Sequence, residues 1–312
     1  MIGDANVDLE IRLPKRGVSP HANPDPRLFG GGSAANTAAA LARLGEQCSF
    51  VGTVGDDSYG RYAVESLRQV GVDTESVETT PDESTVTVIT VLPTDGDRLI
   101  YVWPPRGGAH GRLHEAQTVA SLMGSDWLHV SGICLRLSPA REAILEAMRR
   151  AKEAGIPVSF DLNLRLENWG WEDSFRDVVE RAMTSADVIL GAAADEIIPL
   201  TGLNDPIQAA TQLAGPNRVV IARLGRGGAV ACSADGIARA GSFDVEVVDT
   251  VGAGDAFNAG FITARRRALD LAEAIRWGNA VAALTIAKAG ARSTPSIDEV
   301  ERLLASVTAP LE

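Results

Sequence analysis

An acidic residue follows a glycine-spaced turn in the segment DTVGAGDAFNAGF, residues 249–261. Gly252, Ala253 and Gly254 are expected to expose backbone N–H groups where a helix begins at about residue 254, and a helix N-terminus attracts an anion. The helix dipole stabilises a carboxylate at Asp255, but this carboxylate would repel a bound phosphate. Both features are explained if a phosphoryl group is transferred at the turn while Asp255 accepts the proton of the attacking hydroxyl. A dinucleotide fingerprint does not fit, because Phe257 takes its third glycine position.

A second glycine-rich segment, FGGGSAANTAAALARLG, covers residues 29–45. It loosely matches a dinucleotide-binding pattern, but the proline-rich residues before it make a poor central strand. The preferred interpretation is a helix N-terminus whose bare backbone approaches a hydroxylated ligand at Gly32, with Ser33 and Asn36 offering polar side chains. Close packing by small residues is the alternative, and it leaves Asn36 unexplained.

The loop RLGRGGAV, residues 223–230, follows an apolar run and carries three glycines. A hairpin turn is the favoured interpretation, and a nucleotide contact becomes the better one if the loop lies beside residues 252–255. No GxxxxGK[ST] segment occurs in the sequence, so a Walker-type lysine is not the means of phosphate binding.

Short apolar runs alternate with helical patterns and would position these motifs. The runs lie at residues 48–55, 126–132, 156–163, 186–191 and 218–225. Residues 138–155 are typical of a helix that ends at a glycine, and Val245, Val247 and Val248 predict one more strand. The alternation predicts an α/β fold, a doubly wound and mainly parallel sheet flanked by helices, in one domain covering residues 1–312. Met1-Ile2 predict either a short first strand or a start farther upstream.

Two segments interrupt the alternation, at residues 9–29 and 75–103. The first is rich in proline and polar residues, and the second holds two strand-like runs joined by PTDGD, a hairpin signal. We expect the two segments to form a small antiparallel β lid that closes over the site. Apolar faces on such a sheet also predict a homodimer through the lid.

Composition limits the partners of this chain. Its 312 residues are 45% hydrophobic and carry a net charge of −12, which disfavours nucleic acid and anionic membranes as partners. The N-terminal residues lack the basic region of a signal peptide, so a cytoplasmic location is expected. Three scattered cysteines, Cys48, Cys134 and Cys232, lack the spacing of a zinc site or a disulfide framework.

The two glycine-rich segments, in this order, resemble the signatures of the ribokinase or PfkB family of carbohydrate kinases. The segments GDANVDL, FVGTVGDDSYG and GNAVAALTIAKAGA are also similar to family segments, so the resemblance covers essentially the whole chain. It implies a ribokinase-like fold and an ATP-dependent kinase that uses Mg²⁺ and phosphorylates a small sugar or sugar acid. Asp255 would be the catalytic base, with Gly252, Ala253 and Gly254 as the anion hole.

The resemblance implies roles for further residues. Sugar hydroxyls would be held by Asn6, Asp8, Gly32, Ser33 and Asn36. ATP would be contacted at Arg223, Gly225, Gly228 and Asn279. A monovalent cation, K⁺, would be held in some family members by the backbone around the positions that match Asp249, Val251, Gly290 and Thr294.

Two positions depart from the family pattern. The NxxE motif, associated with magnesium and phosphate, reads AADE here, so that Ala193 replaces the asparagine and Glu196 remains to act on Mg²⁺, through water. Arg223 stands where many members have Thr or Lys. It could supply charge to phosphate or project into solvent.

Residues 129–169 most resemble the 2-keto-3-deoxygluconate kinase and fructokinase branch, which implies that Arg165 approaches the substrate. Tyr101, Trp103 and Arg106 are the candidate substrate contacts on the lid. Arg106 and Arg165 would form an arginine pair that suits the carboxylate of an acid sugar. We therefore expect phosphorylation of a primary hydroxyl of a sugar or keto-acid sugar, 2-keto-3-deoxygluconate or fructose. The alternatives are a nucleoside kinase of the same fold, a non-catalytic sugar-sensing protein and, more distantly, an NAD-dependent dehydrogenase.

Overall fold

The computed structural model describes residues 1–13, 26–92 and 99–306, with the backbone alone at residues 168 and 169. The PTDGD hairpin signal and residues 14–25 of the predicted lid lie outside the described residues.

The main sheet is doubly wound and mostly parallel. Its strands are β3 (Gly52–Gly55), β4 (Val77–Thr80), β7 (Leu128–Ser131), β8 (Val158–Asp161), β9 (Val188–Ala192), β10 (Val219–Arg223), β11 (Ala229–Ser233) and β12 (Gly236–Ala240). Six of them lie in the order β12-β11-β10-β9-β8-β7, parallel from β7 to β10 and antiparallel from β10 to β12. Ile2 forms parallel bridges to both Val51 and Val130, and so connects β7 with the parallel pair β3 and β4. The five apolar runs are therefore confirmed as sheet segments.

Helices cover both faces of this sheet. They are α1 (Ser33–Arg43), α2 (Ser58–Arg68), α3 (Glu115–Ala120), α4 (Ala140–Glu153), α5 (Leu166–Trp169), α6 (Asp173–Ser185), α7 (Ile198–Thr201), α8 (Pro206–Leu213), α9 (Ala253–Arg266), α10 (Leu271–Ile286) and α11 (Ile297–Ser306). Strand alternation separates two cores: Ile189 packs with residues of α4 and α6, whereas Val188 and Leu190 pack with residues of α9 and α10. None of these helices is long and apolar enough to cross a membrane.

A smaller sheet projects beside the main one. It contains β1 (Asn6–Arg12), β2 (Pro26–Gly31), β5 (Thr87–Leu92) and β6 (Leu99–Trp103), in the order β2-β1-β5-β6. The outer pairs are antiparallel, as the sequence suggested, but the central pair of β1 and β5 is parallel. The sheet begins at Asn6 rather than residue 9, and β4 pairs with β3 instead of joining it. Short-range signals predicted the segments but could not specify which strands pair across distant parts of the chain.

The strand predicted at Val245, Val247 and Val248 is wrong. Residues 241–250 form no strand, and the side chains of Val247 and Val248 are exposed. The N–H groups of Val248 and Asp249 both donate to the carbonyl oxygen of Ile286 at the end of α10. A helix end therefore replaces the neighbouring strand that the β-branched residues would need for sheet pairing.

Candidate active site

Asp255 lies in the first turn of α9 and faces the first turn of α1. Its Oδ1 accepts a hydrogen bond from Ser33 Oγ at 2.7 Å, and its Oδ2 accepts one from Asn36 Nδ2 at 2.9 Å. Two glycine-rich segments that are more than 200 positions apart therefore meet at one carboxylate. The small residues around Ser33 and Asn36 are buried and allow this close approach of the two helices.

Burial raises the pKa of Asp255 to about 7, and the charges of Asp161 and Asp4 act in the same direction. The hydrogen bonds from Ser33 and Asn36 lower this pKa and favour the ionised form. A carboxyl group with a pKa near neutrality is suited to accept a proton from a substrate hydroxyl and to release it again.

The turn before α9 depends on Gly252. Its φ of 79° is in the left-handed region, and an added Cβ would lie 2.6 Å from the carbonyl oxygen of Ala291. Gly252 is the N-cap residue of α9, and it has no side chain that could bond the N–H groups of the first turn. The N–H group of Ala253, expected in the anion hole, donates to the Thr250 carbonyl oxygen at 3.3 Å. The N–H groups of Gly254 and Asp255 are the ones that suit an anion placed beside the Asp255 carboxylate.

The first turn of α1 is not the bare backbone that the sequence suggested. The carboxylate of Asp4 accepts hydrogen bonds from the N–H groups of Ser33 and Ala34, at 2.9 and 3.2 Å. A ligand at this turn would therefore meet side chains, and Ser33 and Asn36 turn theirs toward Asp255. Asp4 was missed because its place as a helix cap is set by folding, not by proximity along the chain.

Asn6 and Asp8 lie on β1 beside Gly31, whose added Cβ would overlap both side chains. Asn6 Oδ1 is buried and has no hydrogen-bond partner within the described protein, as expected for an atom that meets a ligand hydroxyl. Burial raises the pKa of Asp8 to about 6, while the charges of Arg292 and Arg165 lower it. These residues could hold a polyhydroxylated molecule next to Asp255.

The other substrate candidates divide into two groups. Arg165 is exposed, adopts a left-handed backbone with φ 50° and acts electrostatically on Asp8. Tyr101 and Trp103 pair with Ile89 and Thr87, so strand alternation places them on the face of the small sheet opposite to Asp8. Arg106 is exposed beyond the end of β6. The described structure thus brings Arg165, but not the β6 aromatics, toward the site.

Arg223 does not project into solvent. It donates to Asp161 Oδ1 at 2.8 Å, to Asn258 Oδ1 at 2.8 Å and to the carbonyl oxygen of Gly254 at 3.3 Å. Its side chain is only 15% exposed. The end of β10 therefore lies beside the 252–255 turn, which is the condition that favours a nucleotide contact for the 223–230 loop.

The other candidate ATP-binding residues are Gly225, Gly228 and Asn279, and the last two lie in close contact with the end of β12. An added Cβ at Gly228 would overlap the carbonyl oxygen of Ala240. Asn279 Nδ2 donates to the carbonyl oxygens of Ala240 and Gly241, each at 3.0 Å, and so holds the end of β12 against α10. Gly225 lies in the turn between β10 and β11.

Glu196 is buried with both carboxylate oxygens already accepting hydrogen bonds. Leu164 N–H donates to Oε1 at 2.8 Å and Ala192 N–H donates to Oε2 at 2.7 Å. Ala193 packs into the core. Among the residues with described side chains, no three His, Cys, Asp or Glu residues are grouped to hold a metal ion. A magnesium ion would therefore depend on nucleotide phosphates and water, with Glu196 acting from a distance.

The candidate cation loop does not fit K⁺ well. The Thr294 carbonyl oxygen accepts from Arg43 Nε at 2.7 Å, and the Gly290 carbonyl oxygen accepts from Ser293 Oγ at 2.6 Å. The Asp249 carboxylate accepts from the N–H groups of Val251 and Gly290, at 3.1 and 3.0 Å. A cation that shared the Thr294 oxygen would be repelled by the Arg43 guanidinium.

Sequence reasoning missed Arg292 altogether. This residue precedes α11 and extends to the site, where it donates to Asn36 Oδ1, Ser66 Oγ and the Gly31 carbonyl oxygen, at 3.0, 2.6 and 2.8 Å. Asp161, at the carboxyl end of β8, was also missed, although an acid at the end of a predicted parallel strand was a usable signal.

This chain is similar to known proteins over nearly its whole length. The sequence model of the pfkB family carbohydrate kinases matches residues 1–298. Aminoimidazole riboside kinase of Salmonella typhimurium (strain LT2) is 36% identical, over 98% of this chain and 94% of its own. Fructokinase of Vibrio alginolyticus is 33% identical over 97% of each chain. The solved fructokinase of Vibrio cholerae O395, in its fructose, ADP and calcium ion bound form, has a TM-score of 0.82 and 29% identity over 97% of each chain.

Proposed function

Because the chain belongs to the pfkB family of carbohydrate kinases, we propose that it transfers the γ-phosphoryl group of ATP to a primary hydroxyl of a neutral ketose such as fructose. The observation that carries this proposal is the position of Asp255. It lies in the first turn of α9, beside the Gly252 turn, with both oxygens held by side chains of α1.

The reaction follows from that position. The ionised carboxylate of Asp255 takes the proton of the substrate hydroxyl while the hydroxyl oxygen bonds to the γ-phosphorus. The bond from this phosphorus to the β,γ-bridging oxygen breaks, and ADP is released. The N–H groups of Gly254 and Asp255 stabilise the negative charge on the transferred group. Magnesium, when bound with the nucleotide, would neutralise phosphate charge, and Glu196 would orient its water ligands.

A neutral acceptor fits the charges around the site better than the keto acid that the sequence also suggested. Carboxylates of Asp4 and Asp249 both raise the pKa of Asp8. Arg292 already donates to three protein acceptors. Of the two described arginines whose charges act on Asp8, Arg292 and Arg165, only Arg165 is exposed and able to meet a substrate carboxylate beside these acids. One guanidinium is weak compensation there.

We also propose that the small sheet acts as the lid. Asn6 and Asp8 belong to its central strand β1, so closing the sheet over a bound sugar would bring their side chains onto it. Closure would exclude water, which competes with the sugar as acceptor.

The test combines one variant with an acceptor screen. Asp255→Asn should abolish most ADP formation while ATP binding, measured by calorimetry, is retained. Asp235→Asn, at an exposed turn between β11 and β12, is the matched control and should keep the wild-type rate. An Asp255→Asn protein with a near wild-type rate would exclude Asp255 as the base.

The acceptor screen uses fructose, ribose, 2-keto-3-deoxygluconate, aminoimidazole riboside and adenosine. Fructose should give the highest kcat/KM. Aminoimidazole riboside is the second candidate, because a kinase of that nucleoside is 36% identical over nearly the whole chain. A higher kcat/KM for the nucleoside, or for the keto acid, would replace the proposed acceptor without changing the mechanism.

A further inference from the structure

Arg292 joins four separate parts of the molecule beneath the candidate site. From the loop before α11 its guanidinium donates to Asn36 on α1 (3.0 Å), to Ser66 on α2 (2.6 Å) and to the Gly31 carbonyl at the end of β2 (2.8 Å). The side chain is largely buried, and an added Cβ at Gly30 would overlap it. Such a buried guanidinium with three protein acceptors is held in one orientation.

The contact with Asn36 decides which way that amide points. A guanidinium has donors and no acceptor, so the atom of Asn36 that faces Arg292 must be the carbonyl oxygen Oδ1. The amide nitrogen Nδ2 is then the atom that faces Asp255, and it donates to Oδ2 at 2.9 Å. With the opposite orientation, an amide oxygen would confront the Asp255 carboxylate.

We propose that Arg292 is a positioning residue for phosphoryl transfer: it fixes the Asn36 amide so that its N–H donor holds the Asp255 carboxylate, and it ties this pair to the base of the lid through the Gly31 carbonyl. The inference rests on the proposed role of Asp255 as the base. Because its donors bond Asn36, Ser66 and Gly31, Arg292 acts in this proposal through Asn36 and not on the reacting atoms.

The electrostatic surroundings of Asp255 agree with such a role. Asp4 and Asp161 face it and disfavour its ionisation, as burial does, whereas Ser33 and Asn36 favour it by hydrogen bonds. Among the described residues, the guanidinium groups of Arg223 and Arg292 both interact with its charge. Loss of Arg292 would remove one of these positive charges and free the Asn36 donor, and both changes shift the pKa of Asp255 upward.

The experiment is a double-mutant cycle of Arg292→Met and Asn36→Ala, with kcat and the pH dependence of kcat/KM measured for the best acceptor of the screen. Arg292→Met should lower kcat about tenfold and move the acidic limb of the profile to higher pH. In the Asn36→Ala background, and at a pH above the acidic limb where Asp255 is ionised in both proteins, the same substitution should change kcat by less than about twofold, because the amide that Arg292 orients is already gone.

Two further variants guard against a structural explanation. Arg292→Lys keeps the charge but not the three-way contact, so it should not restore kcat. Gly30→Ala displaces the guanidinium while leaving it in the chain, so it should lower kcat in the same way. If Arg292→Met does not fold, these two variants carry the test.

Arg43→Met is the matched control. Arg43 anchors the same loop through the Thr294 carbonyl without contacting Asn36, so its loss should lower the melting temperature but leave the acidic limb in place. Additive effects of Arg292→Met and Asn36→Ala, or an unmoved acidic limb, would overturn the proposal. Failure of the proposed base is a separate result, since it would appear as turnover by Asp255→Asn.

Discussion

The Asp255 carboxyl group is protonated or ionised according to a balance of burial, neighbouring acids and two donors. Because the proposed mechanism needs the ionised form, we expect kcat/KM to increase as the pH rises through about 7 and to level off above it. Initial rates of ADP formation across the pH range, at low acceptor concentration, measure this limb. A profile that is flat through neutrality would contradict the role of Asp255.

Ionisation of the Asp255 carboxyl group should destabilise the folded protein. Its pKa in the folded protein, about 7, lies above the ordinary value of about 3.9, so the folded state binds the proton more tightly. The free energy of unfolding should therefore fall as the pH rises from about 4 through about 7.

Asp255→Asn removes that buried charge, and the Ser33 hydroxyl can rotate to accept from the new amide. We expect the variant to be more stable than the wild type by about 1–2 kcal/mol at about pH 8, with the gain vanishing toward about pH 4. Urea unfolding at both pH values measures the difference. The exposed Asp235→Asn control should show no such pH dependence, and an equal shift in both variants would contradict the argument.

At the scale of elements, the turn before α9 requires glycine at position 252 for two reasons. The backbone of Gly252 is left-handed, and it lies close to Ala291. Gly252→Ala should lose at least about tenfold in kcat, because the added methyl group must displace either Ala291 or the N–H groups at positions 253–255. The left-handed backbone adds about 1–2 kcal/mol of destabilisation.

Gly155 offers the matched control, since its φ is 72° but an added Cβ there meets nothing within 4 Å. Gly155→Ala should share the loss of stability and keep the full kcat. Equal kcat values for the two variants would show that the crowding at Gly252 has no catalytic consequence.

Local sequence patterns were sufficient for five strands of the main sheet, β3 and β7 to β10, and for α1, α4 and α9. They did not identify β11 and β12, and they assigned β4 to the lid. They were insufficient at Val245 to Val248, where the N–H group of Val248 bonds the end of helix α10 instead of a neighbouring strand. The contacts of Asp4, Arg223 and Arg292 could not be predicted, because each depends on partners 29 to 261 positions away. Periodicity reports which residues share a face of an element, and it carries no information about which distant side chains meet.

At the scale of the whole molecule, the face of the small sheet opposite to Asp8 is apolar and exposed along β6. Strand register places Tyr101 and Leu99 beside Ile89 and Val91, and Trp103 extends the same face. Tyr101 is 56% exposed and Trp103 is 61% exposed. Such a surface is costly to leave in water, and a second copy of the chain could cover it through a two-fold contact.

We therefore propose a homodimer through this face. Sedimentation at micromolar concentration should give a dimer for the wild type and a monomer for Tyr101→Asp. Ile237→Asp, at a similarly exposed position on the edge strand β12, should remain dimeric. A wild-type monomer, or a dimer insensitive to Tyr101→Asp, would contradict the proposal.

The separation along the chain between Ser33 and Asp255, 222 positions, and between Asn36 and Arg292, 256 positions, sets an order of events during synthesis. At a translation rate of about 5–20 residues per second, roughly 10–45 s pass between the emergence of Ser33 and that of Asp255. A nascent chain of that age already contains the residues of β1 and α1, but it lacks Asp255, the proposed base. If Asp255 is the base, a nascent chain that ends before this residue should transfer no phosphoryl group, and the contact between Arg292 and Asn36 can form only later still.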